Sequence, residues 1–364
     1  MASDDASAGG RRRWFKILGT SGGEQPTEEG TPTAESSPLP ETAEVVVISD
    51  QPGDAPDETA VAALTEVDVE VPLADIEAAE AAEAAQAEAE VAEAPAPKPA
   101  GMEPIPLPRV ISIANQKGGV GKTTTAVNLG AALAELGYRV LVIDLDPQGN
   151  ATTGMGISHR NVEGSIYDVI MNDAPIEDCV EPTSVRNLFV VPATIDLAGA
   201  EIELVPAFSR ELKLRRALTN VSEDYEFTLI DCPPSLGLLT VNGLAASDDV
   251  IVPIQCEYYA LEGLGQLLRN VALVKTNLNP TLDVRGIVLT MYDARTKLAE
   301  QVEREVRAHF GAKVYRTVVP RTVRISEAPS FGQPVTVFDA TSRGALAYRE
   351  LAKEVSRGAT RRVG

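Results

Sequence analysis

Apolar positions in the second two-thirds of the chain fall into short β-branched runs separated by stretches with helical spacing. Val110-Ile111-Ser112-Ile113-Ala114 and Arg139-Val140-Leu141-Val142-Ile143 are the first two runs. Phe227-Thr228-Leu229-Ile230, Val250-Ile251-Val252-Pro253-Ile254, residues 286–290 (GIVLT) and residues 314–319 read as further strands. Between them, residues 126–136, 260–277, 297–310 and 342–357 repeat apolar side chains every three to four positions, and Gly137 suits the stop of the first of these helices. Apolar strands alternating with amphipathic helices predict an α/β fold: a doubly wound, mostly parallel sheet with helices on both faces.

That pattern starts at Arg109. Residues 19–108 are rich in Ala, Glu, Pro, Thr and Ser and poor in aromatics, too apolar-poor to offset the entropy of ordering. Residues 1–108 are therefore read as a disordered acidic extension and residues 109–364 as one folded domain. Residues 72–94 favour helix by their Ala and Glu content, but like charges leave few i,i+4 ion pairs, and the prolines of 95–108 make a stiff linker. Arg11–Leu18 (RRRWFKIL) is a basic-aromatic segment that could dock on a polar scaffold protein.

Charge sharpens this division. The chain has 364 residues, with 32 Lys+Arg against 53 Asp+Glu and a formal net charge of -21. Residues 1–108 carry 23 acidic and 5 basic residues, whereas residues 285–364 carry 15 basic and 8 acidic ones. An anionic partner thus remains compatible with an acidic chain. Three cysteines without a C-x-x-C pair argue against a disulfide scaffold or a cysteine-held metal cluster, and two histidines against a His-rich metal site. No apolar run reaches the ~20 residues of a membrane span, so no membrane insertion and a cytoplasmic setting are expected.

The first strand runs directly into Asn115-Gln116-Lys117-Gly118-Gly119-Val120-Gly121-Lys122-Thr123-Thr124-Thr125 and a helix. Glycines let backbone N–H groups converge on an anion, and the helix N-terminus adds partial positive charge. Lys122 would reach the β- and γ-phosphates of ATP and the Thr123 hydroxyl would ligate Mg²⁺. The second strand ends Ile143-Asp144-Leu145-Asp146-Pro147, placing two carboxylates at its carboxyl end, where ligands bind in doubly wound sheets. Phe227 to Asp231 is an apolar strand ending in an aspartate, the Walker B form, with Asp231 set to hold Mg²⁺ through water. Cys232 reads as a small buried hydrophobe.

The strict phosphate-loop pattern is not met, because Gln116 occupies its first glycine position. A second lysine, Lys117, stands five residues before Lys122 instead. In this the sequence resembles the ParA/MinD family of deviant Walker A ATPases. The resemblance implies an ATP-dependent homodimer in which Lys117 reaches the partner's ATP. It implies catalytic parts for Lys117, Lys122, Asp146 and Asp231, with Asp146 on the attacking water. Nucleotide contacts then fall to residues 117–124 (Lys117, Gly118, Gly119, Val120, Gly121, Lys122, Thr123, Thr124) and to Asp144, near the metal and the nucleotide-sensing switch.

The C-terminal half looks like the chromosomal, Soj-type branch. The segments Met291-Tyr292-Asp293-Ala294-Arg295, residues 319–332 and Gln255-Cys256-Glu257 through Gly263 carry that likeness, which covers residues 109 to about 353. It implies nonspecific binding of double-stranded DNA through Arg295 and Arg324 and a nucleoid-associated location. It also implies stimulation by a ParB-type centromere-binding partner, and an adenine-contacting segment at Pro320 to Thr322. Thr322 stands where that family more often has asparagine. A MinD-like, membrane-associated positioning ATPase is the alternative, but Leu346, Tyr348, Leu351 and Val355 give only a thin apolar stripe, better used in packing. A reductase sharing an iron–sulfur cluster between subunits would need a cysteine arrangement that Cys179, Cys232 and Cys256 do not show.

Overall fold

The computed structural model describes residues 106–160, 162–221, 224–257 and 260–359. The readings of the acidic extension, of Arg11–Leu18 and of a scaffold partner fall on residues outside that set. The eight strands are β1 (Arg109–Ile113), β2 (Val140–Asp144), β3 (Glu181–Pro182), β4 (Leu188–Val191), β5 (Phe227–Asp231), β6 (Asp249–Gln255), β7 (Asp283–Tyr292) and β8 (Val314–Pro320). They form one sheet in the order β3-β4-β2-β5-β1-β6-β7-β8. Every pairing is parallel except β3 with β4 at the edge.

Both faces are covered, as an all-apolar parallel sheet requires. Along β2, Val140 and Val142 join one core and Leu141 and Ile143 the other, all at zero exposure. The first core is closed by α1 (Lys122–Glu135) and the C-terminal α11 (Arg343–Val355). The second is closed by α3 (Ile166–Met171), α4 (Leu197–Glu203), α5 (Lys213–Val221), α6 (Leu238–Ala246), α7 (Ala260–Asn277) and α8 (Lys297–Phe310). Three short helices, α2 (Asn150–Gly154), α9 (Val323–Glu327) and α10 (Val335–Phe338), line the loops at the carboxyl edge. Of the C-terminal apolar stripe, Tyr348, Leu351 and Val355 are buried and only Leu346 faces outward.

Helix α1 begins four residues before its apolar periodicity does. Its first turn is Lys-Thr-Thr-Thr, a polar stretch that conceals a helix start from pattern reading. It stops beyond Glu135, with Gly137 at φ +92°, the left-handed stop that the sequence suggests. Strands β3 and β4 were not legible, because one is two residues long with a proline and the other only four. Strand β7 is also longer than its apolar run, and its register against β8 shifts between Leu289 and Tyr292. Met291, within that shift, has φ +49°, a conformation uncommon for a side-chain-bearing residue. The irregularity re-aims the chain just before Asp293 and Arg295.

The topology decides what meets what. Strands β2, β5 and β1 are neighbours, so the segments that follow them emerge side by side at one edge of the sheet. Strands β7 and β8 end at the same edge, where Tyr292 is in register with Pro320 and its carbonyl accepts the Arg321 N–H at 3.0 Å.

Candidate functional site

The glycine-rich segment turns from β1 into α1 with Gly119 at φ +75° and Gly121 at φ +86°. Gly121 is the N-cap residue of α1, and no side chain caps that helix. Its first N–H groups are therefore available to an anion. Two contacts shape the loop from outside. The Asn115 amide donates to the Pro253 carbonyl at 2.8 Å, while its oxygen accepts the Lys117 N–H at 3.0 Å. The Thr290 hydroxyl of β7 lies 2.7 Å from the Val120 carbonyl and 2.9 Å from that of Ile254, so one proton is shared between two acceptors.

Lys122 is buried at the start of α1 and donates to the Lys117 carbonyl at 3.3 Å. Burial pushes its ammonium below the usual lysine range, an effect opposed chiefly by the Asp231 carboxylate. Asp231 ends β5 opposite Asp144, which ends β2. Both are completely buried. Burial first, and each other's charge second in the case of Asp231, hold their carboxyls above the usual range, with Asp144 raised to about 6.

The two carboxylates are satisfied very differently. Asp144 accepts the Thr152 N–H at 2.7 Å, the Thr152 hydroxyl at 2.6 Å and the Asp146 N–H at 3.3 Å. Asp231 has the Thr123 hydroxyl beside it, which favours its charged form, yet neither of its oxygens makes a hydrogen bond of full geometry. An orphaned, buried carboxylate next to a helix-start threonine and a buried lysine fits a hydrated divalent cation. Asp146 is not on the strand with Asp144; it lies beyond the end of β2, is 7% exposed, and accepts the Gln148 N–H at 2.9 Å. Among the described residues no cluster of three or more His, Cys, Asp or Glu offers a metal site, so a cation here would take most of its ligands from phosphate and water.

Lys117, in contrast to Lys122, is a surface residue. Its ammonium pairs with Glu257 at 3.1 Å, and Glu257 also accepts the Gln255 side-chain amide. Arg295 and Arg324 stand on the segments after β7 and β8, with side chains 88% and 56% exposed. Pro320 ends β8, and the Thr322 hydroxyl accepts the Ile325 N–H at 3.3 Å, so it serves as the N-cap of α9. All three cysteines are free and buried, and burial pushes Cys232 up to about 12.

Several participants were not visible as a motif. Thr152 holds Asp144 and also accepts the Ala193 N–H at 3.0 Å. His159 bridges Thr153 and the Ala193 carbonyl, at 2.7 and 3.0 Å. Its ring lies where a Cβ on Gly149 (φ +62°) would sit, so glycine is required there on two counts. Glu257 and Thr290 meet the phosphate loop across more than 130 residues of sequence. No local spacing signals any of these contacts.

Comparison with known proteins agrees with this geometry. Residues 108–284 match the model of a family described as an AAA domain. The chain is 60% identical over 248 residues to the sporulation initiation inhibitor protein Soj of Bacillus subtilis (strain 168), covering 68% of this chain and 98% of that protein. The chain belongs to the Soj/ParA family of chromosome-partitioning ATPases. It is 55% identical over 249 residues to the chromosome partitioning protein ParA of Caulobacter vibrioides, covering 68% of this chain and 93% of that one. Among solved structures it resembles a cobyrinic acid a,c-diamide synthase from Mycobacterium smegmatis with bound ADP and magnesium. That likeness has 42% identity and a TM-score of 0.60, over 67% of this chain and 92% of the other. This member of the family is an ATPase.

The orphaned carboxylate generates a prediction about the nucleotide-free protein. Burial makes the ionised Asp231 carboxylate, whose oxygens find no hydrogen-bond partner among the described residues, costly to the fold; that cost declines as pH falls and is gone only below the ordinary carboxylate pKa of the unfolded chain. Asp231→Asn is expected to stabilise the nucleotide-free fold at pH 8 by about 1–2 kcal/mol in denaturant titration, with the gain shrinking as pH falls toward 4. A variant less stable than the parent at pH 8 would show that the carboxylate is already compensated.

Proposed function

We propose that this ATPase uses Mg²⁺-ATP to close two copies into a dimer that binds double-stranded DNA of any sequence, and that a ParB-type centromere-binding partner stimulates hydrolysis and releases it. The observation that carries the nucleotide half is the buried, unpartnered Asp231 carboxylate beside Lys122 and Thr123 under an uncapped helix N-terminus. Such a site favours a triphosphate with its cation over either alone. Bound Mg²⁺ would be held by Thr123 and, through water, by Asp231, and would supply charge neutralisation on the phosphates. The Gly118 to Thr124 backbone holds the phosphates, Lys122 places its charge on the β/γ bridge, and Asp146 orients the attacking water. Asp144 reports nucleotide state through Thr152 and the segment at Ala193. The loop at Pro320 to Thr322 borders the adenine.

Lys117 supports the dimer half of the reading. A lysine that enters the phosphate loop yet keeps its side chain partly exposed, paired among the described residues with Glu257, is free to cross to a facing copy's nucleotide by giving up one surface ion pair. Arg295 and Arg324 support the DNA half. They are exposed, share the carboxyl edge with the nucleotide loop, and lie in the basic last 80 residues. Phosphate contacts give affinity without sequence information, and pairing two subunits doubles their number. A cytoplasmic, nucleoid-associated location follows from DNA of any sequence as partner. Membrane attachment is the weaker reading, since the helix that would supply it buries Tyr348, Leu351 and Val355 in the core, and no described helix is long and apolar enough to cross a membrane.

Three outcomes are expected. Lys122→Ala abolishes productive ATP binding; unchanged affinity and turnover would refute the loop's role. Asp146→Ala retains ATP but loses hydrolysis, trapping the dimer on DNA in size-exclusion and co-sedimentation assays, and normal turnover would remove Asp146 from the reaction. Arg295→Glu or Arg324→Glu weakens DNA binding equally for unrelated sequences and reduces the salt slope by about one for each DNA phosphate no longer neutralised, while ATP binding persists. Weakening confined to one sequence would contradict a nonspecific surface.

A further inference from the structure

Both arginines proposed to meet DNA are already engaged by carboxylates of their own chain. The Arg295 guanidinium forks onto Asp293, Nε to Oδ1 at 2.8 Å and Nη2 to Oδ2 at 2.7 Å. Arg324 reaches Glu327 at 3.0 Å and Asp339 at 3.3 Å, with Phe338 under its guanidinium at 6.0 Å. A two-point fork is the strongest geometry for an arginine with an oxyanion, and it is the same geometry a DNA phosphate would use. Phosphate and carboxylate therefore compete for one set of N–H donors.

Resting on the DNA-binding reading above, we propose that Asp293 and Glu327 are affinity-setting residues that compete with DNA phosphates for Arg295 and Arg324. The turn around Asp293 does not require its charge. Asp293 Oδ1 accepts the Arg295 backbone N–H at 3.1 Å, and its backbone carbonyl accepts the Thr296 N–H and hydroxyl, each at 3.0 Å. Thr296 then caps α8 by accepting from Ala299. An asparagine retains the Oδ1 acceptor, so Asp293→Asn removes the competing charge and keeps the turn. The Asp293 carboxyl is held well below the usual range by Arg295 and, more distantly, by Arg321, so it stays ionised throughout the working pH range. Because it stays ionised, the Arg295 contact starts neutralised in each subunit. The acid therefore lowers DNA affinity once in a single subunit and twice over when two subunits bind together.

The test is DNA binding by the full chain to a random-sequence duplex, by fluorescence anisotropy, with ATP and with ADP at two salt concentrations. Asp293→Asn is expected to tighten binding ~3-fold in ADP and by about the square of that, ~10-fold, in ATP, and to steepen the salt slope. Glu327→Gln is the second variant, expected to act in the same direction through Arg324. Unchanged or weaker binding by both variants, at parental melting temperature, overturns the inference and makes these acids mere positioners of the arginines. Arg295→Glu is measured in parallel. If it weakens binding while the neutralising variants do not strengthen it, only the competition fails; if it leaves binding intact, the DNA surface itself is misplaced and the inference falls with it.

Discussion

The structure turns on two carboxylates at the ends of adjacent, fully buried strands. Asp144 and Asp231 face each other across the β2–β5 pair with no exposure to water. Charge in such a place is costly unless it is bonded or neutralised. Asp144 meets that cost with three donors from the segment that follows it. Asp231 does not, and its nearest positive group, Lys122, is itself buried. The protein thus holds part of its stability in reserve for whatever brings positive charge to that edge, and a triphosphate with its cation does so.

The rest of the edge is arranged around this point. Thr290 ties the glycine loop to β7, and five residues further along that strand's exit stands Arg295. The β7 exit is in turn hydrogen-bonded to the β8 exit through Tyr292 and Arg321. A rearrangement of the loop around phosphate therefore has a short covalent and hydrogen-bonded route to the arginine-bearing segments. Thr152 gives a second route, from Asp144 to the backbone at Ala193 and so toward α4.

One motif of charge recurs. Lys117, Arg295 and Arg324 carry the positive charges that the functional reading directs outward, to a second subunit or to DNA, and each is paired with a carboxylate of its own chain. Exposed pairs of this kind are weak and exchangeable. They keep the single chain from presenting bare cations, and they yield when a stronger or better-multiplied anion arrives.

The amino-acid pattern by itself determined the alternating strand-and-helix architecture, because strands buried on both faces must be continuously apolar and the covering helices must be one-sided. It also determined the phosphate loop and both strand-terminal aspartates, because those chemistries reside in contiguous residues at the end of an apolar run. The start of α1 and the strands β3 and β4 were hidden, the first by a polar turn and the others by brevity. Only the tertiary fold decided that Asp144 is satisfied while Asp231 is not, that Glu257 holds Lys117, and that Thr290 grips the loop from 170 residues away. Those facts depend on strand order and on where backbone donors end up, and neither leaves a periodic trace in a linear chain.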